Sequence, residues 1–436
     1  MEISSGILTV MLLVALLVMM FAGLPVAFTL GLLSLMLLLY NGGPKLLGII
    51  STTAFGDFTN FVFIALPLFI FMSSIVSVSG MADDIYDVTS KWLGRLPGGL
   101  AMASVAAAAA FGAICGSSVA TAAAIGMIAI PAMVKQGYNR AFAIGTVAAA
   151  GCLGQLIPPS MPMIIYGAIT EQSIGQLFMA GAIPGVLMAS IFMVYIFIVA
   201  IRHPDWAPRA ESVSWRVKFK ALYKTSGPLV LVFFVLGGIY SGAVTPTEAA
   251  GLGAFVALLL GIIVYRKINL RTLRIALSDT VKINAMMCFI MLGGFIFAQA
   301  LLIEGIPQDI TRSVIALNLP PMGVIVAINI LYLILGCIMD LASIMLITLP
   351  VVFPLIVALG FDPIWFGAVT VVNIEMAVIT PPVGMNLFVI RGISGAPLSE
   401  VIRGSYRFVF LQALTLVLVI VFPQLALWLP GKMIRR

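Results

Sequence analysis

The stretch Leu153–Ile165, LGQLIPPSMPMII, sets two adjacent prolines, Pro158 and Pro159, inside an uncharged apolar run, and Ala377–Phe388, AVITPPVGMNLF, repeats this at Pro381 and Pro382. The offset between the two pairs recurs between Pro131 and Pro354 and again between Gly137 and Gly360. Adjacent prolines remove two amide donors and clash with preceding carbonyls, so a hydrophobic helix comes apart where they sit. Inside lipid such a break is tolerated only in protein or beside a cavity. Matched breaks in the two halves of a membrane protein are the sequence pattern that points to a transporter's binding site.

Hydrophobic residues fill 62% of the 436 positions and charged residues 9%. Soluble domains carry roughly 45–50% and about 25%. The chain therefore reads as an integral membrane protein, and its repeated apolar runs, each near the length of a helical span, predict an all-α polytopic fold rather than a barrel. The opening MEISSGILTV has no basic region before its apolar run, since the first cation is Lys45, and reads as a retained span instead of a cleaved signal. Cys115, Cys152, Cys288 and Cys337 have no metal-ligand spacing and read as small buried hydrophobes. His203, the single histidine, lies in a polar loop. The net charge of +7 comes from cations flanking spans, which explains it by membrane orientation and not by nucleic acid.

The longest polar stretch, Arg202–Lys224, carries six Lys/Arg against Asp205 and Glu211 and is expected in the cytoplasm. It divides the chain into residues 1–201 and 225–436, with 202–224 as a cytoplasmic linker. Two hydrophobic runs later, Arg266–Lys282 brings five more Lys/Arg to the same side. From this anchor each half reads as five spans, one of them broken at its Pro-Pro pair, plus a re-entrant hairpin, ten spans and two hairpins in all. The hairpins fall at about 99–134 and 322–358, and the broken helices at about 141–168 and 362–390. Only Lys45, Arg312, Lys432, Arg435 and Arg436 of the 23 cations are then left outside. Lys135 and Arg140 border Gly137, whereas the matching turn at Gly360 has Asp362 and no nearby cation, so equivalent loops face opposite sides and the repeats are expected to be inverted. Pro25 and Pro246, at nearly the same offset, extend the match toward the repeat starts.

From Leu100 to Met133 the chain is dominated by Ala, Gly and Ser, too short for two ordinary spans and suited to a close-packed hairpin. Its tip is Gly116-Ser117-Ser118, with Thr121 one turn on, where unwound carbonyls and hydroxyls can replace part of a cation's hydration shell. The second hairpin has Gly336, Asp340 and Ser343 at its middle, and Asp340 occupies the position of Ser117. An unpaired acid there costs about 2.5–3.5 kcal/mol on insertion scales, so Asp340 is either a functional group or a carboxylate capping the helix that follows. Isolated membrane hydroxyls usually bond back to their own helix. Beside the breaks stand Gln155 and Ser160, and Thr380 and Asn386, neutral polar groups next to freed carbonyls. Glu375 is a further intramembrane acid, open to a proton, a solute or a neighbouring helix. Glu248, following Thr245-Pro246-Thr247, reads as part of a helix cap. Met81–Leu96 is amphipathic and fits either the membrane interface or a solvated connector. No GxxxxGK[ST], HExxH or Ser-His-Asp set is present, so energy for transport is expected from ions.

Four segments together, FGAICGSSVATAAAIG (111–126), GQLIPPSMPMIIYG (154–167), VTPTEAAG (244–251) and VVNIEMAVITPPVGMNLF (371–388), make the chain resemble the large membrane subunit of the tripartite ATP-independent periplasmic (TRAP) transporters over nearly its full length. The resemblance implies a secondary importer of carboxylate-bearing solutes in the bacterial inner membrane, with sodium as the coupling ion and no other cofactor. It implies two partners, a small four-helix membrane subunit and a periplasmic substrate-binding protein. It also implies an elevator, in which hairpins and broken helices move as one body past a scaffold. Carried over by position, one sodium site uses Gly116, Ser117 and Ser118 with carbonyls near Gly151, and the second uses Gly336 to Asp340 with the loop at Thr380. Thr121 joins the first set on its place at the tip, and Ser160, Gln155, Ser343 and Asn386 are the candidate solute contacts. Cys115 departs from the serine expected in many relatives and Gln155 from a commonly apolar residue. A standalone sodium/dicarboxylate symporter shares this physics without a soluble receptor. A channel would need a continuous pore, and an enzyme would need acids converging on one pocket.

Overall fold

The computed structural model describes residues 5–210 and 213–433; Glu211 of the linker, Arg435 and Arg436 of the tail, and the first residues of the opening run lie outside the described residues. The first half contains α1 (Ser5–Phe21), α2 (Val26–Gly42), α3 (Gly48–Phe58), α4 (Ala65–Ser79), α5 (Met81–Leu93), α6 (Gly99–Cys115), α7 (Ser118–Lys135), α8 (Arg140–Gly151), the single turn α9 (Leu153–Leu156), α10 (Met161–Thr170) and α11 (Ile174–Arg202). The second contains α12 (Trp215–Lys224), α13 (Ser226–Val232) and α14 (Gly238–Tyr240) joined by a π turn, α15 (Pro246–Leu259), α16 (Leu270–Ile303), α17 (Ile306–Ala316), α18 (Pro321–Gly336) and α19 (Leu341–Ala358). It closes with α20 (Pro363–Ala377), α21 (Met385–Ser394), α22 (Leu398–Val421) and α23 (Gln424–Leu427). No strand occurs among the described residues.

Among the described residues, nine helical segments are long and apolar enough to cross a membrane, and a tenth is reached by counting the bent pair Trp215–Lys224 and Ser226–Tyr240 as one span. Length and composition alone select this set, so its membership differs from that of the ten expected spans. The second hairpin arms α7 and α19 qualify by length, whereas their first arms α6 and α18 and the opening α1 are shorter apolar helices. The linker holds the helix α12, which its six cations concealed from a reading based on charge.

Local chemistry accounts for the recurrent boundaries. α7 and α19 match at both their first and their last residues under the offset that relates the proline pairs. Both begin on a side-chain N-cap: Ser117 accepts from Ala120 N at 3.3 Å, and the equivalent Asp340 accepts from Ser343 N at 3.1 Å. α8 and α20 likewise begin on Asn139 and Asp362, whose side chains accept from Phe142 N at 3.1 Å and Ile364 N at 2.8 Å. Such caps satisfy amides that a helix start leaves open. The turns between are made at Gly137 (φ +87°) and Gly360 (φ +81°), a region that residues with a Cβ rarely enter. Pro158-Pro159 and Pro381-Pro382 each contain a cis peptide bond, and each interrupts its helix, as the paired prolines require.

Packing between the halves is reciprocal. α7 packs on α21 and its counterpart α19 on α10; α8 packs on α22 and its counterpart α20 on α11; α4 packs on α15 and its counterpart α16 on α2. An arrangement in which element A touches B′ and A′ touches B is what a two-fold relation between like units produces. The α8–α22 crossing is held at backbone distance by Gly145 and Gly404: a Cβ on Gly145 would lie 2.7 Å from Gly404 Cα and collide with its carbonyl. Small residues at crossings allow this approach in membranes, where helices gain little from hiding apolar surface. Gly145→Ala should therefore force the two backbones apart at a cost of about 1–3 kcal/mol. A lowered apparent melting temperature in detergent is the expected result; unchanged melting would show that the crossing tolerates the methyl group.

Candidate functional site

At the first tip α6 ends on Gly116 (φ +66°) and α7 restarts at Ser118. Opposite lies the segment broken by Pro158 and Pro159, and glycines set how closely the two meet. A Cβ on Gly116 would sit 2.8 Å from the Pro159 carbonyl, one on Gly112 2.5 Å from Gly154 Cα, and one on Gly151 3.1 Å from the Ser118 carbonyl. Gly154 is the tightest of them: its Cβ would collide with Thr121 Oγ1 and lie 2.8 Å from the Ser117 carbonyl. Ser118 Oγ donates to Gln155 Oε1 at 3.1 Å, closing the tip onto the break. Two buried oxygens here, Thr121 Oγ1 and Ser160 Oγ, have no hydrogen-bond partner among the described residues. Gly116, Ser117, Ser118, Thr121, Gly151, Gln155 and Ser160 are thus brought into one neighbourhood. It is rich in carbonyl and hydroxyl oxygens, the composition that suits a weakly bound monovalent cation.

The second tip repeats the plan with different chemistry. Ser343 Oγ bonds the Asp340 carboxylate, whose other oxygen caps α19, so the acid is held by the helix it starts. The loop of the second break is tied to the tip by Val383 N donating to the Cys337 carbonyl at 3.2 Å, and Gly336 lies against Ala377. Thr380 Oγ1 bonds back to the Met376 carbonyl at 2.7 Å. Gly336, Asp340, Ser343 and Thr380 therefore line the tip and break of the second half. The two breaks differ in surroundings: Pro158 and Pro159 are buried, while Pro381 and Pro382 are exposed.

Asn386 takes another position. Its amide turns to the Ala148 carbonyl at 3.4 Å and to Cys152 Sγ at 3.6 Å, so it bridges the halves. Cys152 in turn donates to the Glu375 carbonyl oxygen at 3.3 Å, and the two residues are related by the offset of the proline pairs, so equivalent points of the repeats touch. Glu375 is fully buried, neither carboxyl oxygen has a hydrogen-bond partner among the described residues, and Cys152 and Ser118 are the polar side chains facing it. Cys115, Cys152 and Cys337 are buried as expected and Cys288 is only partly buried, while the contact of Cys152 with Glu375 goes beyond the reading of small buried hydrophobes. The offset that pairs it with Glu375 was present in the sequence. Gly154, standing beside Gln155, was likewise not singled out, because its role comes from what approaches it. Glu248 completes a capping box with Thr245, the amide of Thr245 donating to its carboxylate at 2.8 Å, as the cap reading expects.

A family model described as "Tripartite ATP-independent periplasmic transporter, DctM component" matches residues 13–425. The chain belongs to the DctM family. Similar proteins include the C4-dicarboxylate TRAP transporter large permease proteins DctM of Pseudomonas aeruginosa, 39% identical with 85% of this chain and 87% of the relative covered, and of Vibrio cholerae, 36% identical with 94% and 95% covered. The sialic acid TRAP transporter large permease SiaM of Vibrio cholerae is 32% identical, with 94% of this chain and 96% of the relative covered. In fold the chain is similar to the crystal structure of the Alcanivorax borkumensis YdaH transporter, with a TM-score of 0.62 at 15% identity, covering 91% and 96% of the two chains. DctM proteins are large permease components of transporters, and the chain is accordingly a multi-pass inner-membrane transport protein.

Substitutions at two positions probe the tips. Gly154→Ala should displace Thr121 and the Ser117 carbonyl and reduce transport by about tenfold or more, as misplacement of positioned groups does, while the protein still inserts and purifies; uptake in proteoliposomes measures this. Asp340→Asn keeps a capping oxygen whereas Asp340→Ala removes it. If the charge serves only the cap, Asn should retain the stability that Ala loses, about 0.5–2 kcal/mol by thermal unfolding.

Proposed function

We propose that the chain is the solute-translocating permease of a sodium-driven importer of carboxylate-bearing solutes, of the C4-dicarboxylate or sugar-acid type. It receives solute from a periplasmic substrate-binding protein and is assembled with a small four-helix membrane subunit. The observation that carries this reading is the duplicated pairing of a hairpin tip with a broken helix, where the buried hydroxyls of Thr121 and Ser160 have no hydrogen-bond partner among the described residues. Hydroxyl oxygens left without a partner favour a cation, which takes their lone pairs in place of water. The helix start at Ser118, capped by a neutral serine, supplies an amide-rich end that suits a solute carboxylate. The names of the Pseudomonas aeruginosa and Vibrio cholerae relatives, C4-dicarboxylate and sialic acid permeases, agree on a carboxylate-bearing cargo.

In this reading the two halves are inverted repeats, and the hairpins and broken helices form one moving body. The contacts of α7 with α21, of α10 with α19 and of Cys152 with Glu375 are its internal joints. The helices α2, α4, α15 and α16, which pack on one another, form the scaffold past which it slides. The buried first break and exposed second break fit a conformer in which access is unequal on the two sides.

Uptake by proteoliposomes holding both membrane subunits should require an inward sodium gradient together with the liganded binding protein. Receptor-independent uptake would instead identify a standalone sodium/dicarboxylate symporter, and flux indifferent to any gradient would identify a channel. Ser117→Ala should raise the half-saturating sodium concentration severalfold, consistent with loss of one oxygen contact worth about 1 kcal/mol. An unaltered sodium dependence would remove Ser117 from the site.

A further inference from the structure

The linker helix α12 has a surface that none of the transport machinery uses. Its sequence, WRVKFKALYK, places Trp215, Phe219 and Tyr223 at i, i+4 and i+8, one stripe of a helix, and these rings are 66%, 58% and 82% exposed. Ala221, on a different face, is buried against the protein. Arg216, Lys220 and Lys224 flank the stripe, are all exposed, and form no ion pair among the described residues. The helix contains no acid. It leaves the next helical segment, Ser226–Tyr240, at a bend of 51°, so it does not continue the span that follows. The stripe is braced from one side: Trp92 of α5 meets Trp215 edge-on at 6.1 Å and Phe219 at 5.9 Å, and Lys218 Nζ lies 4.9 Å from the Trp215 ring centre.

Exposed rings beside unpaired cations on a short amphipathic helix are suited to a boundary that is apolar on one side and negatively charged on the other. Aromatic rings settle at the headgroup level, and cations there attract acidic lipid. We propose that α12 lies in the plane of the membrane and binds anionic phospholipid through Arg216, Lys220 and Lys224, with Trp215, Phe219 and Tyr223 immersed among the upper acyl chains. Charge complementarity selects this occupant: a neutral lipid would leave three cations unmatched, and a partner protein helix would have to be acidic as well as apolar. Because α12 joins the two halves and packs on α5, this contact fixes the linker to the bilayer beside the first hairpin.

The test uses the full chain in liposomes, with brominated phosphatidylglycerol or brominated phosphatidylcholine as the quencher at matched total bromine. The chain has five tryptophans, so the Trp215 signal is taken as the difference between the parent and Trp215→Phe. Quenching of that signal should be about twofold or more stronger from the brominated anionic lipid, as local enrichment by three cations implies, and the preference should fall at high salt. Arg216→Gln/Lys220→Gln/Lys224→Gln should abolish the preference, while Arg216→Lys/Lys220→Arg/Lys224→Arg, which keeps the charge, should retain it and controls for misfolding. Equal quenching by both lipids would overturn the proposal in favour of immersion without headgroup recognition. An unquenched Trp215 would overturn it by showing that the helix faces water or another protein.

Discussion

The structure depends on a single constraint: peptide groups freed by the paired prolines cannot be left unbonded in an apolar medium. Each break is consequently laid against a hairpin tip that has freed groups of its own. The first pair of segments closes through Ser118 and Gln155, with the Gly112 and Gly154 backbones in contact distance, and the second through the Val383 amide and the Cys337 carbonyl. What remains unsatisfied after this mutual closure is a small set of buried oxygens. In the function proposed above, an interruption required by proline chemistry becomes the place that receives an ion or a polar solute.

Using the same device twice has a further consequence. Equivalent elements pack crosswise, and Cys152 and Glu375, one repeat length apart, meet where the halves join. The identical plan is nevertheless filled with unlike chemistry. The first tip is capped by a serine and keeps its hydroxyls neutral, whereas the second is capped by an aspartate bonded to Ser343. Exposure of the breaks is unequal too, so the symmetry belongs to the framework and not to the sites.

The remaining elements hold this framework in place. The amphipathic α5 and α17 precede the two hairpins, and α5 also receives the linker helix α12 through the ring cluster of Trp92, Trp215 and Phe219. Glycine pairs, most tightly Gly145 with Gly404, let long helices cross at backbone distance. These crossings substitute shape for the hydrophobic driving force that lipid does not supply.

Composition and proline spacing alone determined the membrane setting, the helical class and the internal duplication, because helix length, proline breakage and repeat offset are local properties that need no partner. The tips were legible for the same reason: Gly116, Ser117 and Asp340 carry turn and cap chemistry that acts within a few residues. Tertiary structure decided the rest. That Asn386 turns to the Ala148 carbonyl, that Gly154 admits Thr121 and the Ser117 carbonyl, and that Cys152 touches Glu375 depend on which helices cross, and at what distance. The linker helix was hidden because six cations outweigh its aromatic stripe in a count of charge, while its bend and exposed face exist only once the chain is folded.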